Sequence, residues 1–122
     1  MTGYDEYAYA HISHNIAKSN FILAEINSYY GFRWLVNLPV ALGYEIFGVN
    51  IISTSYFPFL CSIGNIILAF FFGKYLYNYK IGLIAALFQA VFPVHVIYGT
   101  ILYPEEIIYF FTNISILLVF SK

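Results

Sequence analysis

"IISTSYFPFLCSIGNIILAFFF", residues 51–72, runs for 22 positions without a charged side chain. As an α-helix it reaches about 33 Å, enough to cross a hydrocarbon core of roughly 30 Å. Pro58 falls in its first third, where a membrane helix tolerates a kink because neighbouring groups take up the freed carbonyl. The rest of the chain is written for the same solvent. Of its 122 residues 61% are hydrophobic and 22% aromatic, only 9% are charged, and the mean hydropathy is +0.77. A soluble domain carries roughly 25% charged residues, and one of this size could not cover so much apolar surface. The stretch therefore reads as a transmembrane helix, and the chain as an all-α membrane protein.

Outward from that helix, "GKYLYNYK" (73–80) makes a short polar turn, and residues 81–103 form a second uncharged span with Pro93 and His95 towards its far end. Gly82, Ala86 and Ala90 recur every four residues, a small-residue face that lets another helix approach closely. After "PEE" (104–106), a third span occupies 107–122, of which only 107–120 are apolar. That is short for a crossing, so the chain reads as a fragment of a larger polytopic protein. Upstream, "WLVNLPVALGYEIFGV" (34–49) is apolar but holds Asn37, Pro39 and Glu45. Sixteen helical residues reach about 24 Å, which suits a helix lying in the interface or dipping in and returning. At the start, Thr2 and Asp5 have capping-box spacing, and Tyr4, Ala8, Ile12 and Ile16 share one face of an amphipathic surface helix ending near Lys18. Residues 1–50 are then an outer-face loop of amphipathic or juxtamembrane helices, and 51–122 the transmembrane region, with spans at about 51–72, 81–103 and 107–122.

Five Lys and Arg residues, scattered, and a net charge of −1 leave no basic patch for nucleic acid. The single cysteine, Cys61, lies inside the first span and reads as a small buried hydrophobe. The first twenty residues lack the basic start and apolar run of a signal peptide. Lys74 and Lys80 occupy the turn between the first two spans and Lys122 follows the third, which places all three on the cytoplasmic side. Residues 1–50 and the "PEE" turn then share the outer face with all six carboxylates of the chain. If residues 34–49 crossed the bilayer, Asp5 and Glu105 would stand on opposite sides.

Two acidic pairs, Asp5/Glu6 and Glu105/Glu106, thus arrive at one membrane surface from a hundred residues apart. Adjacent carboxylates at a low-dielectric boundary can poise one group as a general base while another holds a hydroxyl or a cation. The bland alternative is structural: Asp5 completes a helix cap with Thr2, and Pro-Glu-Glu is a favourable helix start for dipole reasons alone. Arg33 is a candidate for meeting a phosphate or for pairing with Glu45, and His95 for packing at the outer boundary or lining the cavity. His11 and His14, three apart, could ligate a metal, but no second pair accompanies them. The tyrosines suit interfacial belts. Asn113-Ile-Ser115 is a sequon inside a span and carries no meaning there.

"YDEYAYAHIS" near the start, "FGVN" at 47–50, "GKYLYNYKIGLIAALFQAVFPVHVIYGT" at 73–100 and "LYPEEIIYFF" at 102–111 resemble, in that order, the N-terminal part of membrane glycosyltransferases of the GT-C type. The nearest form is the family-39 or protein-mannosyltransferase-like group, with the aminoarabinose and Rgt-type sugar transferases. The resemblance implies transfer of a sugar from a polyprenyl phosphate carrier to a lipid or protein acceptor hydroxyl, with inversion, on the outer face of a prokaryotic plasma membrane. By the same resemblance Asp5 is the base, with Glu6 beside it, and Glu105 stands where the family has an aspartate after proline. His95, Arg33 and Glu106 are the candidates for substrate binding. No cofactor is certain, and a divalent metal is compatible with the acids. The family has a transmembrane helix before the acidic motif and several further helices, so the 122-residue chain alone is expected to be inactive. The rival expectation is a non-enzymatic small membrane protein, an assembly subunit or transporter fragment whose outer acids bind cations.

Overall fold

The structure is a computed structural model and describes residues 4–18 and 33–122. The described residues form six helices and no strand: α1 (Tyr4–Ala17), α2 (Trp34–Phe47), α3 (Ile51–Leu76), α4 (Tyr79–Val91), α5 (Pro93–Tyr98) and α6 (Pro104–Phe120). The expected Thr2 cap lies outside the described residues.

The spine is α3, 26 residues long and, among the described helices, the one both long and apolar enough to cross a membrane. Its start is fixed locally. The Asn50 side chain accepts from the Ser53 N–H at 2.8 Å, and the Asn50 N–H donates back to Ser53 Oγ at 3.1 Å, so two otherwise unpaired donors are satisfied reciprocally. The helix runs through Pro58 and ends with Lys74 in its last turn. Asn78 then caps α4 by accepting from the Ile81 N–H. The α3–α4 hairpin closes on two glycines: a Cβ on Gly73 would stand 2.7 Å from the Gly82 Cα, and one on Gly82 would stand 2.6 Å from the Phe70 carbonyl oxygen. Of the small-residue face, Gly82 is buried at this crossing, Ala86 is half-buried and Ala90 is exposed.

The stretch 81–103 is not one helix. Pro93 lacks an N–H and disfavours helical backbone at the residue before it, and Phe92 accordingly adopts φ −68° and ψ 119° between α4 and α5. Turns at 99–103 lead into α6, with Pro104 in its first turn, where the missing N–H costs nothing. Glu106 sits beside Asn65, and the Tyr75 hydroxyl donates to the Phe120 carbonyl at 2.8 Å, so α6 runs parallel to α3. The Phe110 ring lies directly on Gly64, where any Cβ would collide with it.

At the other end α1 and α2 pair with each other and close over the first turn of α6. One cluster joins Tyr9 and Ala10 of α1, Val36, Val40 and Tyr44 of α2, Cys61 of α3, and Leu102 and Ile107 from around the start of α6. The Tyr44 hydroxyl shares a 2.8 Å hydrogen bond with Thr54, and the Tyr56 hydroxyl donates to the Pro39 carbonyl, so α2 is tied to α3 by polar as well as apolar contacts. Ile12 and Ile16 are buried as the amphipathic pattern predicts, but so are Glu6, Tyr9 and Ser13; α1 is packed along a wider strip than a helix lying on a surface. With 14 residues, α2 reaches about 21 Å, short of a hydrocarbon core.

Polarity is distributed as a bilayer requires. Ile63, Ile67 and Phe71 on α3, Leu87 and Phe88 on α4, and Leu118 and Val119 on α6 face outward, while Ser53, Thr54, Asn65 and Glu106 are buried. Lipid tails solvate the first group at no cost, and the second must find partners inside.

Candidate functional site

Successive helical residues point about 100° apart, so two adjacent glutamates in one turn cannot face the same way. Glu105 is exposed and Glu106 is buried. The Glu106 carboxylate is held by His95 Nδ1 at 2.6 Å on one oxygen and by the Asn65 amide N–H at 2.9 Å on the other. Asn65 in turn accepts from the Asn113 amide at 3.4 Å. The resulting chain of side chains links α5, α3 and two positions on α6. Two residues expected to meet substrate, His95 and Glu106, are therefore each other's partner.

Leu102 is fully buried in the cluster that holds Tyr9 and Ala10 of α1, and Tyr103 follows it directly. Desolvation, together with the negative charges of Asp5, Glu105 and Glu6, raises the Tyr103 phenol above its ordinary range. Its ring also rests 5.6 Å from that of Tyr98. The phenol thus feels charge from both acidic pairs, and it stays protonated and can donate through the neutral range. Among the described residues no three His, Cys, Asp or Glu side chains stand in metal-ligating geometry.

Asp5 is half-buried and Glu6 is 4% exposed. Arg33 reaches α1 one turn further on: its Nη1 donates to the Tyr9 hydroxyl at 2.5 Å, and its guanidinium lies 5.8 Å from the centre of that ring. His11 and His14 lie apart from this group, around a separate hollow of about 360 Å³ shared with Tyr44, Asn50 and Thr54. A larger groove of about 500 Å³ runs along the first half of α3, walled by Phe47, Ile51, Ile52, Tyr56, Phe59 and Leu60, and ends at Gly99 and Thr100, just before Tyr103.

Two members of the site escape a reading of the sequence. Tyr103 is one of thirteen tyrosines and passes for part of an interfacial belt; its signal is its place directly before Pro-Glu-Glu. Asn65 is uncharged and does not interrupt the apolar run, yet an amide in mid-span needs a partner.

Apolar helices with their polar groups turned inward define an integral membrane protein, and the charges of Asp5, Glu6 and Glu105 bear on one phenol, Tyr103. Residues 33–122 match the family of dolichyl-phosphate-mannose-protein mannosyltransferases, and the chain belongs to that family of membrane glycosyltransferases. The match includes Arg33, His95, Glu105 and Glu106 and begins after Asp5 and Glu6. No curated protein and no solved structure matches the chain.

Proposed function

We propose that the chain carries the acid site of a sugar transfer from a polyprenyl phosphate carrier to an acceptor hydroxyl, with Asp5 as the base. What supports this most is the family match over residues 33–122, with the charges of Asp5, Glu6 and Glu105 all bearing on Tyr103 beside it. Asp5 takes the proton of the acceptor hydroxyl as its oxygen bonds to the anomeric carbon, and the bond from that carbon to the phosphate oxygen breaks with inversion. Glu105 holds the acceptor hydroxyl, Arg33 balances charge on the phosphate, and Tyr103 donates a hydrogen bond to whichever oxygen gains charge. The apolar groove along α3 suits the isoprenoid tail of the carrier. Family membership favours this over a non-enzymatic subunit whose acids bind cations. The direct test is turnover of dolichyl phosphate mannose by an Asp5→Asn variant of the full-length protein.

Tyr103→Phe tests the phenol separately. The ring is kept, with its contact to Tyr98, and only the hydroxyl is lost. Turnover is expected to fall about tenfold while folded yield is unchanged, because one donor aimed at developing charge is removed. Wild-type turnover in this variant would leave Tyr103 as a packing residue.

The site is proposed to face outward from a prokaryotic plasma membrane, since Lys74 and Lys80 flank the opposite, α3–α4 end. Residues 1–50 then form the outer loop and 51–122 the spanning region. Single cysteines placed at the exposed positions 7, 77 and 105 in a Cys61→Ala background read this out. An impermeant maleimide added outside is expected to label 7 and 105 and to miss 77. Labelling of 7 and 105 from opposite sides would separate Asp5 from Glu105 and remove the site.

A further inference from the structure

We propose that His95 and Glu106 act as a positioning pair that sets the rotation of the first turn of α6, and through it the direction of Glu105 and Tyr103. This rests on the acid-site reading above for its purpose, but its structural content stands alone. The Glu106 side chain is 3% exposed and that of His95 24%, so the 2.6 Å contact between them is made largely out of water. An ionised carboxylate removed from water must be paired and hydrogen-bonded on both oxygens, and His95 and Asn65 supply one partner each.

The grip is directional. Asn65 also approaches the Glu106 backbone carbonyl at 3.3 Å, and its own oxygen is held by Asn113, seven residues further along the same face of α6. His95 stacks on Tyr109, one turn beyond Glu106, with ring centres 5.4 Å apart and planes at 27°. Glu106 is thus held from α3 by an amide and from α5 by an imidazole, and the helix cannot turn about its axis without breaking both. Glu105, the preceding residue, has its direction fixed as a consequence.

Both oxygens of the Glu106 carboxylate are engaged within the protein, one by His95 and the other by Asn65. His95 lies on α5, the six-residue helix that Pro93 separates from α4, and its imidazole ties that helix to the Glu106 carboxylate of α6. The break in the second span therefore has a use: it frees His95 to lean against α6.

The test uses the full-length protein and three measurements. His95→Ala is expected to lower kcat on the order of 10-fold to 100-fold, as small misplacements of a catalytic group do, with KM for dolichyl phosphate mannose changed less than about twofold. His95→Asn, which keeps an N–H close to where Nδ1 stands, is expected to recover most of that loss. In a separate Glu105→Cys, Cys61→Ala reporter, maleimide labelling at position 105 is expected to change several-fold on adding His95→Ala and to stay the same on adding His95→Asn. Unchanged labelling overturns the proposal, as does full kcat in His95→Ala, a rise in KM in place of the kcat loss, or a loss that merely tracks folded yield. Asp5→Asn measured alongside keeps the two readings apart. An inactive Asp5→Asn with an unaffected His95→Ala removes only the pair, whereas an active Asp5→Asn removes the acid-site reading and leaves the labelling shift to decide the pair.

Discussion

Asp5→Asn in the full-length protein is expected to lower turnover of a polyprenyl-phosphate-linked sugar by roughly 10²-fold or more, with expression and membrane insertion unchanged. Asparagine keeps the size of the side chain and an oxygen that can accept hydrogen bonds at a helix start. If Asp5 only caps α1, the substitution costs at most about 1 kcal/mol of stability and leaves catalysis intact. A base cannot survive the same change, because the amide has no basic oxygen to take the acceptor proton. The neighbours sharpen the contrast. Tyr103 remains protonated among the acids and cannot substitute as acceptor, and Glu105 approaches from another helix. Glu105→Gln is accordingly expected to cost less, since an amide can still hold a hydroxyl in place. The measurement is kcat and KM for dolichyl phosphate mannose with folded yield read in parallel. Near-wild-type turnover in Asp5→Asn would return both carboxylates of α1 to a structural role.

The sequence is most legible where one helix suffices to explain a residue. Residues 51–72 need only their own composition to be read as a span, and α3 contains all of them. That Asp5 and Glu105 arrive at one end of the bundle is an expectation from counting turns and charges, and the charge of each bears on Tyr103. What the sequence hides is set between helices. Glu105 and Glu106 are identical neighbours, and nothing local says which turns inward. Asn65, 41 residues upstream, and His95 decide it. Tyr103 is hidden for the same reason, since its importance comes from α1. Pro93 was visible as an irregularity in the second span, but whether such a proline kinks a helix or ends it depends on what receives the freed backbone groups. In this chain α5 closes on itself, with the Gly99 N–H returning to the His95 carbonyl at 2.9 Å.

The small-residue face of the second span yields the last prediction, because spacing alone treats Gly82, Ala86 and Ala90 alike and the structure does not. Gly82→Leu is expected to destabilise the protein by about 3 kcal/mol, towards the upper part of the range for overpacking. The reason is what its Cβ would meet: the Phe70 carbonyl oxygen at 2.6 Å and the Lys74 backbone nitrogen at 3.0 Å. Neither is the free end of a side chain that can swing aside, so relief requires α3 and α4 to separate. That separation would carry α5, and with it His95, away from Glu106, so turnover should fall along with stability. Ala90→Leu adds the same kind of bulk two positions further along the face, but Ala90 is exposed, and the change should stay within about 0.5 kcal/mol. Thermal unfolding in detergent, with both variants run beside the parent, separates the two sites. Equal shifts would mean that the whole face is a packing surface, as spacing alone suggests. A large shift confined to Gly82→Leu would mean that the hairpin is closed at one backbone crossing, with the outer end of α4 left free to meet lipid or another helix.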